Sequence, residues 1–178
     1  MGELQSNLSF RLMSLGFRLR DLRLPRGEIL KEVGIKTGFT VLDYGCGAGS
    51  YVPGLSELVG PSGKVYALDI HPLAIESVKR LVSKRGLTNV ETILSDCRTG
   101  LPDASIDVAL MYDIYHDLAE PGKVLRESHR VLKPDGILSF NDHHMKHEEV
   151  IAKIGGSPFF RLADEGKMTY RFSKTKSP

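Results

Sequence analysis

The stretch "VLDYGCGAGS", residues 41–50, joins an apolar run to a loop with glycine at every second position. The segment "FTVLDYG" (39–45) predicts a buried strand, and the following "GSYVPGLSELVG" predicts a helix. Glycine between a strand and a helix lets a ligand approach the backbone, because no Cβ stands in the way and positive φ is permitted. The stretch therefore predicts the first strand of an α/β sheet with a ligand-binding turn at its end.

The same alternation continues along the chain. Further strands are predicted in "GKVYALDI" (63–70), "VETILSD" (90–96), "IDVALMY" (106–112) and "ILSFND" (137–142), with "HPLAIESVKRLVSKRG" and "PGKVLRESHRVLKPDG" as helices, the second ending in its own stop signal. The last two runs, "FFRLAD" and "MTYRFSK", are separated only by "EGK", which admits an antiparallel hairpin and no crossover helix. The pattern predicts an α/β fold: a doubly wound, mostly parallel sheet with helices on both faces.

Length and composition limit the possible classes. A chain of 178 residues predicts one domain, 1–178, and the helical patterns at 8–24 and 25–34 predict an N-terminal helical lid or substrate segment (1–36) before a core at 37–178. A net charge of +2 is too small to imply a polyanionic partner, so we expect no nucleic-acid partner. No run approaches the roughly 20 apolar residues that cross a bilayer, so we expect no membrane partner and a cytoplasmic protein.

Two features of composition bear on partners and redox state. Cys46 and Cys97 are too few for a disulfide framework and are expected to be free thiols. The arginines of the N-terminal segment are expected to form the solvated face of a lid, with binding of RNA or of an acidic membrane surface as the alternative. They are Arg11, Arg18, Arg20, Arg23 and Arg26.

The glycine turn does not match a dinucleotide site. A dinucleotide fingerprint reads GxGxxG, whereas here Ser50 stands where the last glycine is required. Asp43, at the end of the strand, would repel a pyrophosphate and favours a cationic group instead. A loop-bracing or helix-capping role for Asp43 is the alternative. The turn therefore predicts a ligand with a positive charge and no phosphate.

Two more acids follow predicted strands. Asp69 closes the second strand 20 residues after Gly49, where its carboxylate can accept hydrogen bonds from both hydroxyls of a ribose. Asp96, in "SDC", can accept from an exocyclic amine such as that of adenine. Asp69 could instead simply end a strand, and Asp96 could be one of the acids that are common in turns. A cation, a ribose and an adenine together describe S-adenosylmethionine.

Four segments, in order and spacing, resemble a known family. "VLDYGCGAG", "VYALDI", "SDCRTGLPDASIDVAL" and "VLKPDGIL" are similar to the successive motifs of class I S-adenosylmethionine-dependent methyltransferases, over about residues 37–142. Within that family the chain most resembles the small type 11 branch, which methylates small molecules. The resemblance implies a seven-stranded Rossmann-like sheet in the order 3-2-1-4-5-7-6, with the last strand antiparallel.

The resemblance also assigns roles to residues, position by position. The turn with Asp43, Gly45, Cys46, Gly47 and Gly49 would face the methionine part of S-adenosylmethionine. The remaining cofactor residues would be Asp69 on the ribose diol, Ile70 beside the adenine, Asp96 on the adenine amine and Cys97 alongside through its backbone. A nucleophilic role for Cys46 is not favoured, because nothing in the sequence offers it an activating base.

Methyl transfer from a sulfonium is a direct displacement, so alignment of the reacting atoms supplies much of the acceleration. Any base should lie beyond the ends of strands four and five, where "MYDIYHDL" offers Tyr112, Asp113, Tyr115 and His116. His116 is the expected proton acceptor and Asp113 an orienting or catalytic partner; packing or capping is the alternative for His116.

Histidines gather after strand five in "NDHHMKHEE", together with Asp142. His143, His144 and His147 are residue types that ligate metals, and His143 and His147 are four apart, so they could share a helix face. The favoured interpretation is a polar helix start capped by Asn141 or Asp142, with no metal.

The sequence thus predicts an S-adenosylmethionine-dependent methyltransferase of a small-molecule acceptor, with in-line displacement. The alternatives are a catalytically silent binding subunit of the same fold, an RNA or protein methyltransferase, and a nicotinamide-dependent oxidoreductase. "MYDIYHD" does not resemble the Asn-Pro-Pro-Tyr-like turn of enzymes that methylate adenine or amide nitrogens of macromolecules. A homodimer through strands six and seven or the N-terminal helices is also open.

Overall fold

The strand expected from the opening stretch forms at Thr40–Tyr44 (β1), in a computed structural model that describes residues 26–176. The predicted helix at 8–24, with Arg11, Arg18, Arg20 and Arg23, lies outside these residues. The other strands are Lys64–Asp69 (β2), Val90–Leu94 (β3), Ile106–Tyr112 (β4), Leu132–Asn141 (β5), Phe160–Glu165 (β6) and Tyr170–Lys174 (β7).

The helices are Arg26–Val33 (α1), Val52–Val59 (α2), Pro72–Arg85 (α3), Pro121–Val131 (α4) and the short His147–Val150 (α5), which continues as a π-helix, Ile151–Gly155. A 3-10 turn, Tyr115–Asp117, follows β4. Prolines stand in the first turn of α2, α3 and α4, where a missing N–H costs no hydrogen bond.

The seven strands form one sheet in the order β3-β2-β1-β4-β5-β7-β6. The neighbours from β3 to β5 pair in parallel, whereas β7 runs antiparallel to both β5 and β6. The strand order implied by the resemblance and the antiparallel terminal hairpin are both confirmed. Because the parallel strands share one direction, the turns after β1, β2, β3, β4 and β5 all lie at the same rim of the sheet.

Helices cover both faces, as the pattern predicted, because successive strand residues point to opposite sides. In β1, Val41 packs with side chains of α1 and α2, whereas Leu42 packs with side chains of α4 and α5. Ala67 of β2 packs with Ile75 and Val78 of α3. The first face therefore carries α1, α2 and α3, and the second carries α4 and α5. No helix among residues 26–176 has the length and apolar character needed to cross a bilayer.

The fifth strand begins earlier than the sequence indicated. The prediction placed a helix stop at "LKPDG" and a strand only from Ile137, but β5 starts at Leu132, which pairs with Ile106 across a register shift in β4. Pro134 is tolerated there because a bulge interrupts the ladder. Lys133 donates to Asp107 Oδ1 at 2.6 Å and ties the early part of β5 to β4.

An ion-pair network joins α4 to the segment before β4. The carboxylate of Glu127 contacts the Arg130 guanidinium at 2.7 Å and accepts the N–H and hydroxyl of Thr99 at 2.8 and 2.6 Å. These interactions, the Arg130 hydrogen bonds first, lower the pKa of Glu127 from its ordinary 4.5 to about 2. The folded state therefore favours the ionised carboxylate.

We expect Glu127→Gln to flatten the acid dependence of stability. A folded pKa below the unfolded one stabilises the protein above about pH 4.5, and this contribution is lost as pH falls toward 2. The free energy of unfolding at pH 7 should fall by about 2 kcal/mol, discounted for the exposure of Arg130. Urea unfolding from pH 7 to pH 3 measures this, with the exposed Glu76→Gln as control; parallel curves for Glu127→Gln and the parent would contradict the assignment.

Candidate active site

The glycine turn after β1 adopts the left-handed conformations that the sequence implied. Gly45, Gly47 and Gly49 have φ of +78°, +52° and +86°. The N–H groups of Gly45 and Cys46 both donate to the Leu68 carbonyl, at 2.8 and 2.9 Å, so the turn is held against β2. A Cβ placed on Gly47 would meet no atom within 4 Å, which leaves this part of the backbone open to a ligand.

Gly45 is required for a different contact. A Cβ at this position would lie 2.5 Å from Cγ2 of Ile114, which follows β4. The close approach brings the loop after β4 directly onto the glycine turn. Residues of that loop are therefore near whatever the turn binds.

Asp69 joins the turn to the next helix. Its Oδ2 accepts the Gly47 N–H at 2.9 Å and its Oδ1 accepts the His71 N–H at 2.8 Å. Burial raises the pKa of Asp69, and the backbone donors act in the opposite direction. Each carboxylate oxygen can accept a further hydrogen bond. The neighbouring Ile70 is 40% exposed, so it presents an apolar side chain at the rim.

Asp43 is buried beneath the glycine turn rather than exposed at its surface. It is 2% exposed, and its charge and that of Asp69 add to burial in raising the pKa of Cys46. Both carboxylates therefore lie close to the same thiol. Because the raised pKa keeps Cys46 protonated, the structure supports a space-filling role rather than a nucleophilic one.

The third acid follows β3 as expected, although the strand ends at Leu94 and Asp96 stands in an exposed bend beyond it. The buried hydroxyl of Tyr44 donates to the Cys97 carbonyl at 2.5 Å. Burial, the largest cause, raises the pKa of Tyr44, so the hydroxyl keeps its proton. This bond holds the bend that carries Asp96 and Cys97 beside the glycine turn. The sequence around Tyr44 and Cys97 gave no indication of it. Cys46 and Cys97 are free thiols, as predicted.

Of the four candidate residues at and after the end of β4, two pack against the protein and two lie at the rim. Tyr112 was expected at the rim, and this is wrong: it is 6% exposed and its hydroxyl bonds Ser139 Oγ at 2.7 Å on the α1–α2 face. Because side chains alternate along β4, the last strand residue points into the core. Tyr115 packs edge-on against Phe140, with ring centroids 5.7 Å apart.

Asp113 and His116 do lie at the rim. Asp113 lies beside the imidazole of His143, and His116 lies beside the carboxylate of Asp142, both from the turn after β5. Asp113 has φ +54°, a left-handed conformation, and its Oδ1 lies 2.6 Å from Nδ1 of His143. Nδ1 of His116 lies 2.9 Å from both oxygens of Asp142. The sequence named Asp142 only within the histidine-rich segment; its pairing with His116, 26 residues away, requires the parallel β4–β5 ladder.

The histidine-rich segment is not the helix start that the sequence indicated. α5 begins at His147 with Lys146 as its N-cap, so the predicted cap at Asn141 or Asp142 and the shared helix face of His143 and His147 are wrong. Asp142 instead accepts the backbone N–H groups of His116 and His144, both at 3.1 Å, and so holds a turn.

His147 points elsewhere, with Nδ1 at 3.3 Å from the Tyr170 hydroxyl and 3.2 Å from a Glu165 carboxylate oxygen. The oxygen and nitrogen atoms of Asp113, Asp142 and His143 lie within 4.8 Å of one another. A hydrogen bond joins Asp113 and His143, and Asp142 lies beside them through its bonds to His116 and the His144 N–H.

The donor set at the rim suits a cationic adenosyl compound. The open glycine backbone and the buried charge of Asp43 suit an ammonium group, and the remaining acceptor capacity of Asp69 suits a ribose diol. The exposed Ile70 suits an apolar ring such as adenine, and the exposed Asp96 suits the amine of that ring. The fold and this site together define the class of S-adenosylmethionine-dependent methyltransferases.

Comparison with known proteins agrees. The chain belongs to the methyltransferase domain family, whose model matches residues 35–168, and S-adenosylmethionine is its cofactor. A solved S-adenosylmethionine-dependent methyltransferase from Aquifex aeolicus is 35% identical, with a TM-score of 0.76 over 86% of this chain and 91% of that one.

Curated relatives are longer than this chain. Demethylmenaquinone methyltransferases are 34% identical over 63% of the chain (Geobacillus stearothermophilus) and 35% identical over 68% of it (Lactococcus lactis). In both cases the match covers 48% of the relative. The chain thus spans about half the length of the curated relatives that it matches.

Proposed function

We propose that this chain transfers the methyl group of S-adenosylmethionine to a small-molecule acceptor by in-line displacement, with a quinone-type ring as the acceptor class. The observation that carries the proposal is the Asp69 carboxylate, which bridges the open glycine turn and the start of α3 at the rim of the sheet. S-adenosylmethionine, when bound, supplies an electrophilic methyl group on a sulfonium.

On the cofactor side, Asp69 accepts the ribose hydroxyls while it keeps the turn in shape through Gly47. Ile70 covers one face of the adenine, and Asp96 accepts the adenine amine, with the Cys97 backbone held beside it by Tyr44. Asp43 acts on the cationic end through its field rather than by surface contact, because it is 2% exposed. A buried carboxylate interacts more strongly with a nearby cation than one in water does.

On the acceptor side, His116 takes the proton that the acceptor loses, and Asp113 orients the acceptor. Support comes from the contact between Ile114 and Gly45, because it brings the loop that carries both residues onto the cofactor turn. Alignment of the acceptor with the methyl carbon and the sulfur, and exclusion of water, supply the rest of the acceleration.

The acceptor class is supported by the relatives named demethylmenaquinone methyltransferases. An aromatic ring with hydroxyl or carbonyl groups also suits a rim that combines apolar side chains with carboxylate–imidazole pairs. The β6–β7 turn, where the Met168 carbonyl accepts a hydrogen bond from the Asn141 side chain at the end of β5, would border the acceptor. We also propose that two copies of the chain pair through β6, which is an edge strand of the sheet.

The test combines binding with turnover. S-adenosylhomocysteine should raise the Tm of the protein, and NAD should leave it unchanged. Methyl-tritiated S-adenosylmethionine should then label demethylmenaquinone, supplied in oxidised and reduced form, with Asp69→Ala as the control deficient in cofactor binding. A Tm raised by NAD alone would contradict the proposed cofactor. Cofactor binding without label on this acceptor or on other small hydroxyarenes would instead favour the silent binding subunit.

A further inference from the structure

Asp142 is a buried carboxylate at the edge of the proposed acceptor site. Its side chain is 0% exposed, and burying a charge costs free energy unless donors compensate. The donors are the backbone N–H groups of His116 and His144 and Nδ1 of His116, which lies 2.9 Å from both oxygens. Every one of these contacts holds either the ring of His116 or the turn beside it.

The contact determines which nitrogen of His116 carries a proton. An ionised carboxylate can only accept hydrogen bonds, so Nδ1 must be the donor. In the neutral ring the lone pair is then on Nε2. Nε2 belongs to a side chain that is 26% exposed, and it lies 3.5 Å from Oδ2 of the exposed Asp117, a longer contact than the 2.9 Å from Nδ1 to the buried Asp142.

The second carboxylate–imidazole pair, Asp113 and His143, does not have a fully buried carboxylate. His143 is 53% exposed, so water competes for its hydrogen bond to Asp113. The burial of Asp142 removes that competition at His116. Of these two imidazoles, His116 is the less exposed, and it is the one whose partner carboxylate is fully buried.

We infer that Asp142 is a positioning residue that keeps His116 in the Nδ1–H tautomer, so that Nε2 takes the acceptor's proton. The inference rests on the proposed function. With an oxygen acceptor, the O–H bond breaks, its proton passes to Nε2, the O–H electron pair forms the bond to the methyl carbon, and the electron pair of the C–S bond stays on sulfur. With a ring carbon as acceptor, as in a hydroquinone, the O–H electron pair instead becomes the π bond of a carbonyl while a ring C=C pair forms the bond to the methyl carbon. The ring carbon then loses its own C–H proton to solvent, the C–H electron pair restores the C=C bond, and the carbonyl oxygen regains a proton. The resulting imidazolium is stabilised by Asp142. The acceptor is therefore a neutral hydroxyl compound, or a ring activated through such a hydroxyl, rather than a nucleophile that is already anionic.

Other charged and titratable groups face His116 and enter its pH dependence. The carboxylates favour a proton on the ring, and the two neighbouring imidazoles oppose it once they are protonated, with the His144 ring at 4.1 Å and the His143 ring at 6.3 Å. These groups are Asp117 from the loop after β4, and Asp142, His143 and His144 from the turn after β5. Asp113 lies further off, with a carboxylate oxygen within 4.8 Å of one of Asp142.

The first test reads the tautomer directly. Nitrogen-15 NMR of the histidine rings in the full chain should show His116 protonated on Nδ1 at neutral pH. A neutral His116 ring with its single proton on Nε2 in the parent protein would overturn the inference, whether or not any variant folds. This readout needs neither cofactor nor acceptor, so it is independent of the proposed function.

The second test uses Asp142→Asn, with Asp107→Asn as matched control. Asp107 is a half-buried aspartate that accepts the Thr40 N–H at 2.8 Å and Lys133 Nζ at 2.6 Å, near the opposite end of the strands. With reduced demethylmenaquinone, Asp142→Asn should lower kcat by about 10- to 100-fold and move the acid limb of the kcat profile to lower pH. The direction follows because a neutral amide no longer favours the imidazolium. Asp107→Asn should leave that limb in place.

The outcomes separate the two proposals. If the parent protein does not bind S-adenosylhomocysteine, the proposed function is wrong. The tautomer measurement still decides the role of Asp142 toward His116 in that case. Cofactor binding and turnover with an unshifted acid limb in Asp142→Asn would overturn the inference alone. The Kd for S-adenosylhomocysteine should stay within about twofold in Asp142→Asn, because this residue contacts the acceptor side.

Discussion

Asp69→Ala should raise the Kd for S-adenosylhomocysteine by at least about 100-fold, corresponding to about 2.7 kcal/mol of binding free energy. The variant loses two interactions at once. The ribose diol loses its acceptor, and the N–H groups of Gly47 and His71 lose the carboxylate that holds the turn and the start of α3. Isothermal titration calorimetry measures the change in Kd.

Asp69→Asn is the matched variant for this prediction. It keeps the volume of the side chain and one acceptor oxygen, but its NH2 group faces an N–H donor and so cannot complete both backbone bonds. We expect its Kd to lie between those of the parent and Asp69→Ala. Circular dichroism should show both variants folded, and an unchanged Kd in folded Asp69→Ala would remove the ribose role.

His116→Asn should lower kcat by about 1,000-fold, within the range that a positioned general base supplies. An asparagine amide N–H can still donate toward Asp142, so the turn after β5 keeps its hydrogen bond, but no group replaces Nε2. The Kd for S-adenosylhomocysteine should stay within about threefold of the parent value, because the cofactor turn is untouched. Single-turnover measurements with tritiated S-adenosylmethionine and reduced demethylmenaquinone give the rate of the chemical step.

The control for this experiment is His147→Asn, also a histidine of the rim region. His147 contacts Tyr170 and Glu165 and is half-exposed, so its replacement should change kcat by no more than about twofold. A kcat for His116→Asn within tenfold of the parent would leave His116 as a packing residue. The proton would then leave through water or not at all in the rate-limiting step.

The cofactor turn could be predicted because its signals are local. Glycines that adopt positive φ, a strand that ends in Asp43 and a second strand that ends in Asp69 are each visible within a few residues of sequence. Their meeting at one rim then follows from the geometry of parallel strands. The contact of Asp69 with the Gly47 N–H adds a bracing role that the sequence raised only for Asp43.

The acceptor side was harder to predict. The spacing of His143 and His147 suggested one helix, but Asp142 accepts N–H groups from two separate segments and holds a turn there, and α5 starts only at His147. Tyr112 looked like a rim residue because it ends β4, yet the alternation of the strand turns it into the core. Both errors arise because a local pattern does not record contacts across the sheet.

By itself, the sequence determined the α/β alternation, the antiparallel hairpin and the acids of the cofactor turn, since hydrophobic period and turn chemistry act over short distances. Only the tertiary structure decided that Asp142 is buried against His116, that Tyr44 holds the bend at Cys97, and that Ile114 closes on Gly45. These pairs are 26, 53 and 69 residues apart in the chain, and only the packing of the folded sheet brings them together.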